Sequence, residues 1–207
     1  MTGWFPSKKS GRLVAFESAL ERDFLTLLEF DQTVRTFEEQ PLRLSYRAAT
    51  GRNTTGVPDF LVHYHQEAGT PTHLCDVTYR KKIFENWQDM KPRLRAARAH
   101  AHEHGWRYRI LTEIEIRTPL LENARSLLPY RRLAPNERNQ VLLLSALLEL
   151  DSPATPSLLL GRVSSNAATQ AELILTLRIL LANGLIEANF DHPLSMNSPI
   201  CLPGRIR

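Results

Sequence analysis

Apolar residues recur every three or four positions near the start of the chain, which predicts an amphipathic helix over residues 16–30. The residues that set this period are Phe16, Leu20, Phe24, Leu27 and Leu28. Shorter apolar stretches follow, and their β-branched and aromatic content predicts strands. These strands are 33–38, 42–47, 59–64, 73–79 and 106–111, with a hairpin loop over 48–57 and a polar turn over 66–72.

A second helix is predicted over residues 83–103, where Gly105 supplies a left-handed C-cap. The resulting order is helix, antiparallel strands, helix and strand. This order is typical of a restriction-endonuclease-like core of the PD-(D/E)xK kind, which is an α/β (α+β) fold. We expect such a nuclease domain over residues 1–133.

The remainder, residues 134–207, has a different pattern. A helix is predicted over 136–150, a short helix begins at Thr155-Pro156, and a long helix capped by Ser165 or Asn166 ends at Asn183-Gly184. Two strands, 185–190 and 200–202, then flank a polar tip. Three helices and a β-wing predict a small winged-helix domain.

The charge is unevenly divided between these parts. The chain of 207 residues has a formal net charge of +4, but residues 1–133 hold 21 Lys and Arg against 16 acids, and residues 134–207 hold 5 against 6. A basic surplus in the first part suits a surface that contacts phosphate groups. In the second part, the long helix carries Gln170, Glu172 and Arg178 among Leu, Ile and Ala, with no second basic residue, which favours docking to protein over reading of DNA.

Apolar runs and cysteines indicate the compartment. No apolar run approaches the roughly 20 residues that span a bilayer, and the first eleven residues are polar and basic, without the apolar core of a signal peptide. The two cysteines, Cys75 and Cys201, are far apart and lack a CxxC partner, so neither a disulfide framework nor a zinc site is indicated. We therefore expect a cytoplasmic protein with buried free thiols.

Two acidic strand ends carry the candidate chemistry. Pro58-Asp59 opens one predicted strand, and Asp76-Val77-Thr78 ends the next. Side chains alternate along a strand, so Asp76, Thr78 and Arg80 are expected on one face, toward the same cleft as Asp59. Hard carboxylate ligands favour Mg²⁺. The upstream helix offers Glu21 as a third ligand, with Glu17 one turn away as its rival.

One position departs from the usual pattern of such sites. Where a lysine is expected two residues after the second acid, this chain has Thr78. Lys82 would share the face of Asp76 if the strand continued, and is the favoured substitute.

Basic and aromatic residues follow the acidic strand ends. The predicted DNA-contacting residues are Arg80, Lys81, Lys91, Arg95 and Arg98, together with Asn86, Trp87 and Gln88. Further along this helix, His100 and His104 share a face and His102 does not. We interpret the three histidines as exposed polar positions.

Spaced motifs in one consistent order resemble the TnsA endonuclease subunit of heteromeric transposases, over roughly residues 13–132. The matching stretches are 37–41, 58–62, 76–80, Asn86-Trp87, Lys91, Arg98, Gly105-Trp106, 116–119 and 128–130. The resemblance implies a Mg²⁺-dependent endonuclease, with Mn²⁺ able to substitute, that cuts the 5′ ends of a transposon in double-stranded DNA. It also implies two partners, a DDE-type transposase (TnsB-like) and an AAA+ ATPase regulator (TnsC-like).

The resemblance also assigns individual residues. Glu21 matches the helical acid, Asp59 the strand acid and Asp76 the family's Glu or Gln. To these three we add Val77 as an expected metal contact. The family's lysine falls on Thr78, which shifts that role to Lys82 or Arg80 or weakens cleavage. A cleavage-weakened bridging subunit and a stand-alone restriction or repair nuclease are the alternatives.

Overall fold

The computed structural model describes residues 1–150 and 153–204. They form two compact units, of which the first covers Met1–Arg117 and the second begins at Thr118. The sequence placed this division later, after residue 133. That the first part is a nuclease domain and the second a winged-helix-like domain that docks partners stays a prediction.

A mixed four-stranded sheet organises the first unit. Its strands are Val34–Glu39 (β3), Phe60–Tyr64 (β6), His73–Val77 (β7) and Arg107–Leu111 (β8), in the order β3-β6-β7-β8. The first three strands pair antiparallel, and β8 pairs parallel to β7. A mixed α/β architecture is therefore confirmed, and it agrees with a nuclease-like fold.

Two hairpins flank this sheet. One joins Gly3–Ser7 (β1) to Arg12–Phe16 (β2), and the other joins Leu44–Arg47 (β4) to Asn53–Gly56 (β5). Neither β1, β2 nor β5 was predicted, and the start of the first predicted helix was wrong. Phe16 instead pairs with Gly3 in the hairpin. The helix, Ala19–Phe30 (α1), begins three residues later, after its N-cap Ser18.

The sheet is covered on both faces. Helix α1 packs on one face, where its apolar side meets Phe60, Val62, Cys75 and Val77 in a buried cluster. Helix Trp87–Glu103 (α3) packs on the other face, where Ala97 and Ala101 meet Leu61 and Leu74. Successive side chains along each strand thus alternate between the α1 face and the α3 face of the sheet.

The segment between β7 and α3 differs from the prediction. Strand β7 ends at Val77, and the backbone forms a separate short helix, Arg80–Glu85 (α2), before α3. Asn86 lies between these two helices, so the single helix expected over 83–103 is interrupted. Gly105, with a φ of 69°, provides the predicted left-handed residue after α3. A short helix, Glu113–Ile116 (α4), follows β8.

The second unit is built from helices and a short ribbon. Its helices are Pro119–Leu127 (α5), Glu137–Glu149 (α6), Pro156–Val163 (α7) and Ala167–Ala182 (α8), followed by Glu187–Ala188 (β9) and Ile200–Cys201 (β10), which pair antiparallel. Thr155 caps α7 as predicted, and of the two residues proposed to cap α8 it is Asn166 that does so. Asn136, which was predicted as the first residue of a helix, is the N-cap of α6. Residues 118–127 join this unit because α5 packs against α8. The winged-helix class stays a prediction. Within the described residues, no helix is both long and apolar enough to cross a membrane.

Candidate functional site

Asp59 and Asp76 lie on neighbouring strand ends. Phe60 pairs with Cys75, so the same register places Asp59 opposite Asp76. The Asp59 N–H donates to the carbonyl of Cys75 at 3.0 Å, and the Val77 N–H donates to Asp59 Oδ2 at 2.6 Å. By strand alternation both aspartates belong to the face that Leu61 and Leu74 present to α3.

The Asp59 carboxyl has an altered proton affinity. Burial and the neighbouring charge of Asp76 raise its pKa to about 7, with a further contribution from Glu21. The hydrogen bond from Val77 and the charge of Arg93 act in the opposite direction. Loss of the Asp59 proton therefore places a second negative charge beside Asp76, and an added cation would stabilise that charge.

Asp76 is fully buried and held by two side chains that sequence analysis missed. Its Oδ1 accepts a hydrogen bond from Arg93 Nη1 at 2.7 Å, and its Oδ2 accepts one from the Tyr108 hydroxyl. Burial and the negative charge of Asp76 raise the pKa of Tyr108 far above its usual range, so this hydroxyl stays a donor. The spacing of Arg93, Ala97 and Ala101 along one face of α3 was the available signal for Arg93.

Glu21 lies close enough to influence Asp59 and also stabilises the start of α1. Its N–H donates to Ser18 Oγ at 3.1 Å, and its Oε2 accepts from the Glu17 N–H at 2.8 Å. Glu17 instead accepts a hydrogen bond from Gln40 Nε2 at 2.9 Å. Glu21, Asp59 and Asp76 do not form a group of three ligand atoms within 4.8 Å of one another. A shared metal ion would require their side chains to rotate inward.

The positions beyond Thr78 do not continue the face of β7. The Thr78 N–H donates to the carbonyl of Leu111 at 3.0 Å, and the chain turns into α2 two residues later. Strand alternation therefore cannot carry Arg80 or Lys82 to the side of Asp76, and that step of the sequence argument was wrong. Lys82 is exposed on α2, so its role in cleavage stays a prediction.

The remaining basic residues divide into two places. Lys91, Arg95 and Arg98 line a cavity of about 490 Å³ along α3 and β8, which we call the basic groove. Its other lining residues are Trp87, Leu94, Tyr108, Arg109 and Ile110. Arg80 and Lys81 lie on α2, where Arg80 packs over the Phe84 ring and Lys81 pairs with Glu85. Tyr108 connects the basic groove directly to Asp76.

One segment of the chain, which contains the four-stranded sheet, matches a known protein family. Residues 31–113 match the family model described as TnsA-like endonuclease N terminal. The matched segment contains Asp59, Asp76, Arg93 and Tyr108, whereas Glu21 precedes it. No curated protein matches the chain. Residues 31–113 are therefore similar to the TnsA-like endonuclease N-terminal domain, and this similarity supports a TnsA-like subunit.

Proposed function

We propose that this protein is the metal-dependent endonuclease subunit of a transposase and hydrolyses phosphodiesters at the 5′ ends of a transposon. The observation that carries the proposal is the pairing of Asp59 with Asp76 at adjacent strand ends inside the TnsA-like domain. Two carboxylates so placed are suited to hold a cation against a DNA phosphate.

The acidic residues fit a hard divalent cation. The pKa of Asp59 is raised by burial and by the charges of Asp76 and Glu21, and a cation beside these oxygens would relieve that repulsion. We assign Asp59 and Asp76 as ligands of Mg²⁺ or Mn²⁺, with Glu21 and Val77 as further contacts. Bound there, the cation supplies Lewis acidity toward a phosphate oxygen and toward a water molecule.

Arg93 offers the positive charge that Thr78 lacks. Its guanidinium donates a hydrogen bond to Asp76, and its positive charge lowers the pKa of Asp59. A fixed cation at this place can stabilise the charge that develops on the phosphate oxygens during hydrolysis. Lys82 remains the competing candidate from α2.

The basic groove is suited to the DNA backbone. Lys91, Arg95, Arg98 and Arg109 supply cations along one cavity, and the half-exposed Trp87 supplies an aromatic face. Contacts of this kind bind phosphates without reading sequence and position the duplex. Because Tyr108 lines the groove and donates to Asp76, a bound strand would pass beside the acidic pair.

The second unit is proposed to dock protein partners, namely a TnsC-like ATPase regulator beside a TnsB-like transposase. Helix α8 carries only Glu172 and Arg178 as charged residues, and Arg178 donates to the Tyr130 hydroxyl at 2.6 Å. Exposed apolar residues on this unit include Val141, Leu148, Leu158 and Leu175. Such a surface favours contact with protein over contact with phosphates.

A cleavage-weakened bridging subunit is the second candidate. It is favoured by one observation, that both carboxylate oxygens of Asp76 already accept hydrogen bonds while Thr78 occupies the lysine position. In this case the protein would bind transposon ends and partners and would cut slowly.

Cleavage assays with purified components test the proposal. Labelled transposon-end DNA is incubated with the protein, with and without the transposase and the ATPase regulator, in Mg²⁺, Mn²⁺ or EDTA. We expect metal-dependent cuts that map to the 5′ ends when the partners are present. Assembly of the complex on DNA without such cuts in either metal would contradict the endonuclease proposal and support the bridging subunit.

A further inference from the structure

The C-terminal end of α3 holds a group of side chains that the nuclease site does not use. His100, Glu103 and His104 each offer one ligand atom, and these atoms all lie within 4.8 Å of one another. We call this group the His–Glu cluster. It begins seven residues after Arg93, which is about 10 Å along the helix axis.

The hydrogen bonding of His104 prepares this side chain as a ligand. Its Nδ1 lies 2.8 Å from the carbonyl oxygen of His100. Because a carbonyl oxygen can only accept, Nδ1 carries the proton and Nε2 keeps a free lone pair. Metal-binding histidines in proteins characteristically donate their second nitrogen to a carbonyl or carboxylate in this way, which fixes the ring orientation.

Trp106 holds both imidazole rings in place. Its ring centroid lies 4.8 Å from that of His104 and 5.9 Å from that of His100, and the two imidazoles lie 4.1 Å apart. Trp106 itself packs against the buried residues beneath α3. These contacts restrict the two imidazole rings before any ion binds, which reduces the side-chain entropy that would be lost on metal binding.

Glu103 completes the group with an oxygen ligand. In the described part of the chain its side chain makes no hydrogen bond or ion pair, so its carboxylate is available. The carbonyl groups at the C-terminal end of α3 add partial negative charge, which favours a cation there.

We propose that His100, Glu103 and His104 form a second metal site, which takes a borderline transition cation such as Zn²⁺, Ni²⁺ or Cu²⁺. Two imidazoles and a carboxylate suit these ions and are poor ligands for Mg²⁺. Ligands of a tetrahedral Zn²⁺ lie about 3.4 Å apart, so the three ligand atoms would move closer together on binding, chiefly through rotation of the exposed Glu103 side chain. Water or a residue from a bound molecule would fill the remaining position.

The chain supplies its own control for this proposal. His102 is exposed on the same helix but does not belong to the cluster. The full-length protein is titrated with Zn²⁺ by calorimetry in excess Mg²⁺, which keeps the acidic strand ends occupied. Cu²⁺ quenching of tryptophan fluorescence provides a second readout, because Trp106 touches both imidazole rings.

We expect one saturable Zn²⁺ site whose affinity falls on the order of tenfold or more in His104→Ala and His100→Ala. Glu103→Gln should weaken binding less, and His102→Ala should leave it unchanged. Circular dichroism of each variant checks that α3 is intact. The proposal is overturned if wild-type protein shows no saturable binding, or if His102→Ala weakens binding as much as His104→Ala.

Discussion

The two units differ in the kind of polar group that they bury. Among the described residues, the first unit buries the carboxylates Asp23, Glu29 and Asp76 in addition to three hydroxyl side chains, whereas the polar side chains buried in the second unit, Asn123, Asn139 and Thr176, are all neutral. A buried charge costs far more to desolvate than a neutral amide, so it persists only with a well-placed partner.

Asn123 illustrates the neutral solution. Its amide nitrogen donates to the carbonyls of Phe190 and His192, and its oxygen accepts from the Leu194 N–H. Every polar atom of the side chain thus stabilises the loop that follows β9. In the first unit, by contrast, Asp76 is partnered by Arg93 and Tyr108 beside a second acid. In the second unit Asn123 is thus satisfied by backbone hydrogen bonds, whereas the first unit keeps a buried carboxylate beside a second acid, which is the arrangement on which the proposed function rests.

Arg93→Ala is expected to have the largest effect on stability. It leaves the fully buried Asp76 with only Tyr108 as a partner, and breaking a buried ion pair in this way costs about 3 kcal/mol. Arg178→Ala is the matched control in the second unit, because its exposed contact with Tyr130 should cost less than about 1 kcal/mol. Urea unfolding of both variants measures the difference. Equal losses would show that the Asp76 pair is not a special feature of the first unit.

Asp59→Asn should change the pH dependence of stability. The pKa of Asp59 is raised to about 7, so between about pH 4 and pH 7 the folded protein holds a proton that the unfolded chain releases. Wild-type stability therefore falls as pH rises through this window, and the asparagine variant is spared that loss. In metal-free buffer at pH 7 the variant should be more stable by at least about 1 kcal/mol, but not at pH 4.

The control for this comparison is Asp89→Asn, an exposed acid on α3, which should follow the wild-type pH profile. Added Mg²⁺ should stabilise the wild type at pH 7 and have less effect on Asp59→Asn. A pH-independent difference between Asp59→Asn and the wild type would contradict the proposed coupling of Asp59 with Asp76.

Salt dependence of DNA binding distinguishes the surfaces of the two units. The double variant Lys91→Ala/Arg95→Ala should lower the slope of log affinity against log salt by about 2, because each cation neutralises one phosphate. Leu175→Glu, on the exposed side of α8, should leave that slope unchanged and weaken binding of the ATPase regulator. Fluorescence anisotropy with duplex DNA and pull-down of the regulator measure the two effects. A changed slope in Leu175→Glu would place DNA on the second unit.

The smallest effects are expected at the missing lysine. Thr78→Lys adds an ammonium near Asp76 and should raise cleavage several-fold, on the order of 1 kcal/mol of transition-state stabilisation. Lys82→Ala, on the exposed face of α2, should leave the rate within about twofold. Single-turnover cleavage rates decide between them. Loss of most activity in Lys82→Ala would show that Lys82 supplies the positive charge used in cleavage.

Local sequence patterns predicted the central strands and the helix ends, because alternation and capping residues act within a few positions. Strands β3, β6 and β8 and the caps at Thr155 and Asn166 follow from such signals. The β1–β2 hairpin was missed because Phe16 also continues the helical period of α1. The ion pair and hydroxyl at Asp76 were missed because Arg93 and Tyr108 come from elements 17 and 32 positions away. Tertiary polar contacts of this kind leave no periodic pattern in the sequence.

The most direct test of the account is cleavage by Asp59→Ala and Asp76→Ala, with Asp89→Ala as the matched acid on the surface. Each variant is assembled with its partners on transposon-end DNA in Mg²⁺, and binding and folding are verified first. Asp76→Ala is also paired with Asp76→Asn, which keeps the hydrogen bonds from Arg93 and Tyr108 more nearly intact. We predict that cleavage of the 5′ ends is abolished in the Asp59 and Asp76 variants and is normal in Asp89→Ala. Wild-type cleavage by a folded Asp59 or Asp76 variant would contradict the assignment of the active site.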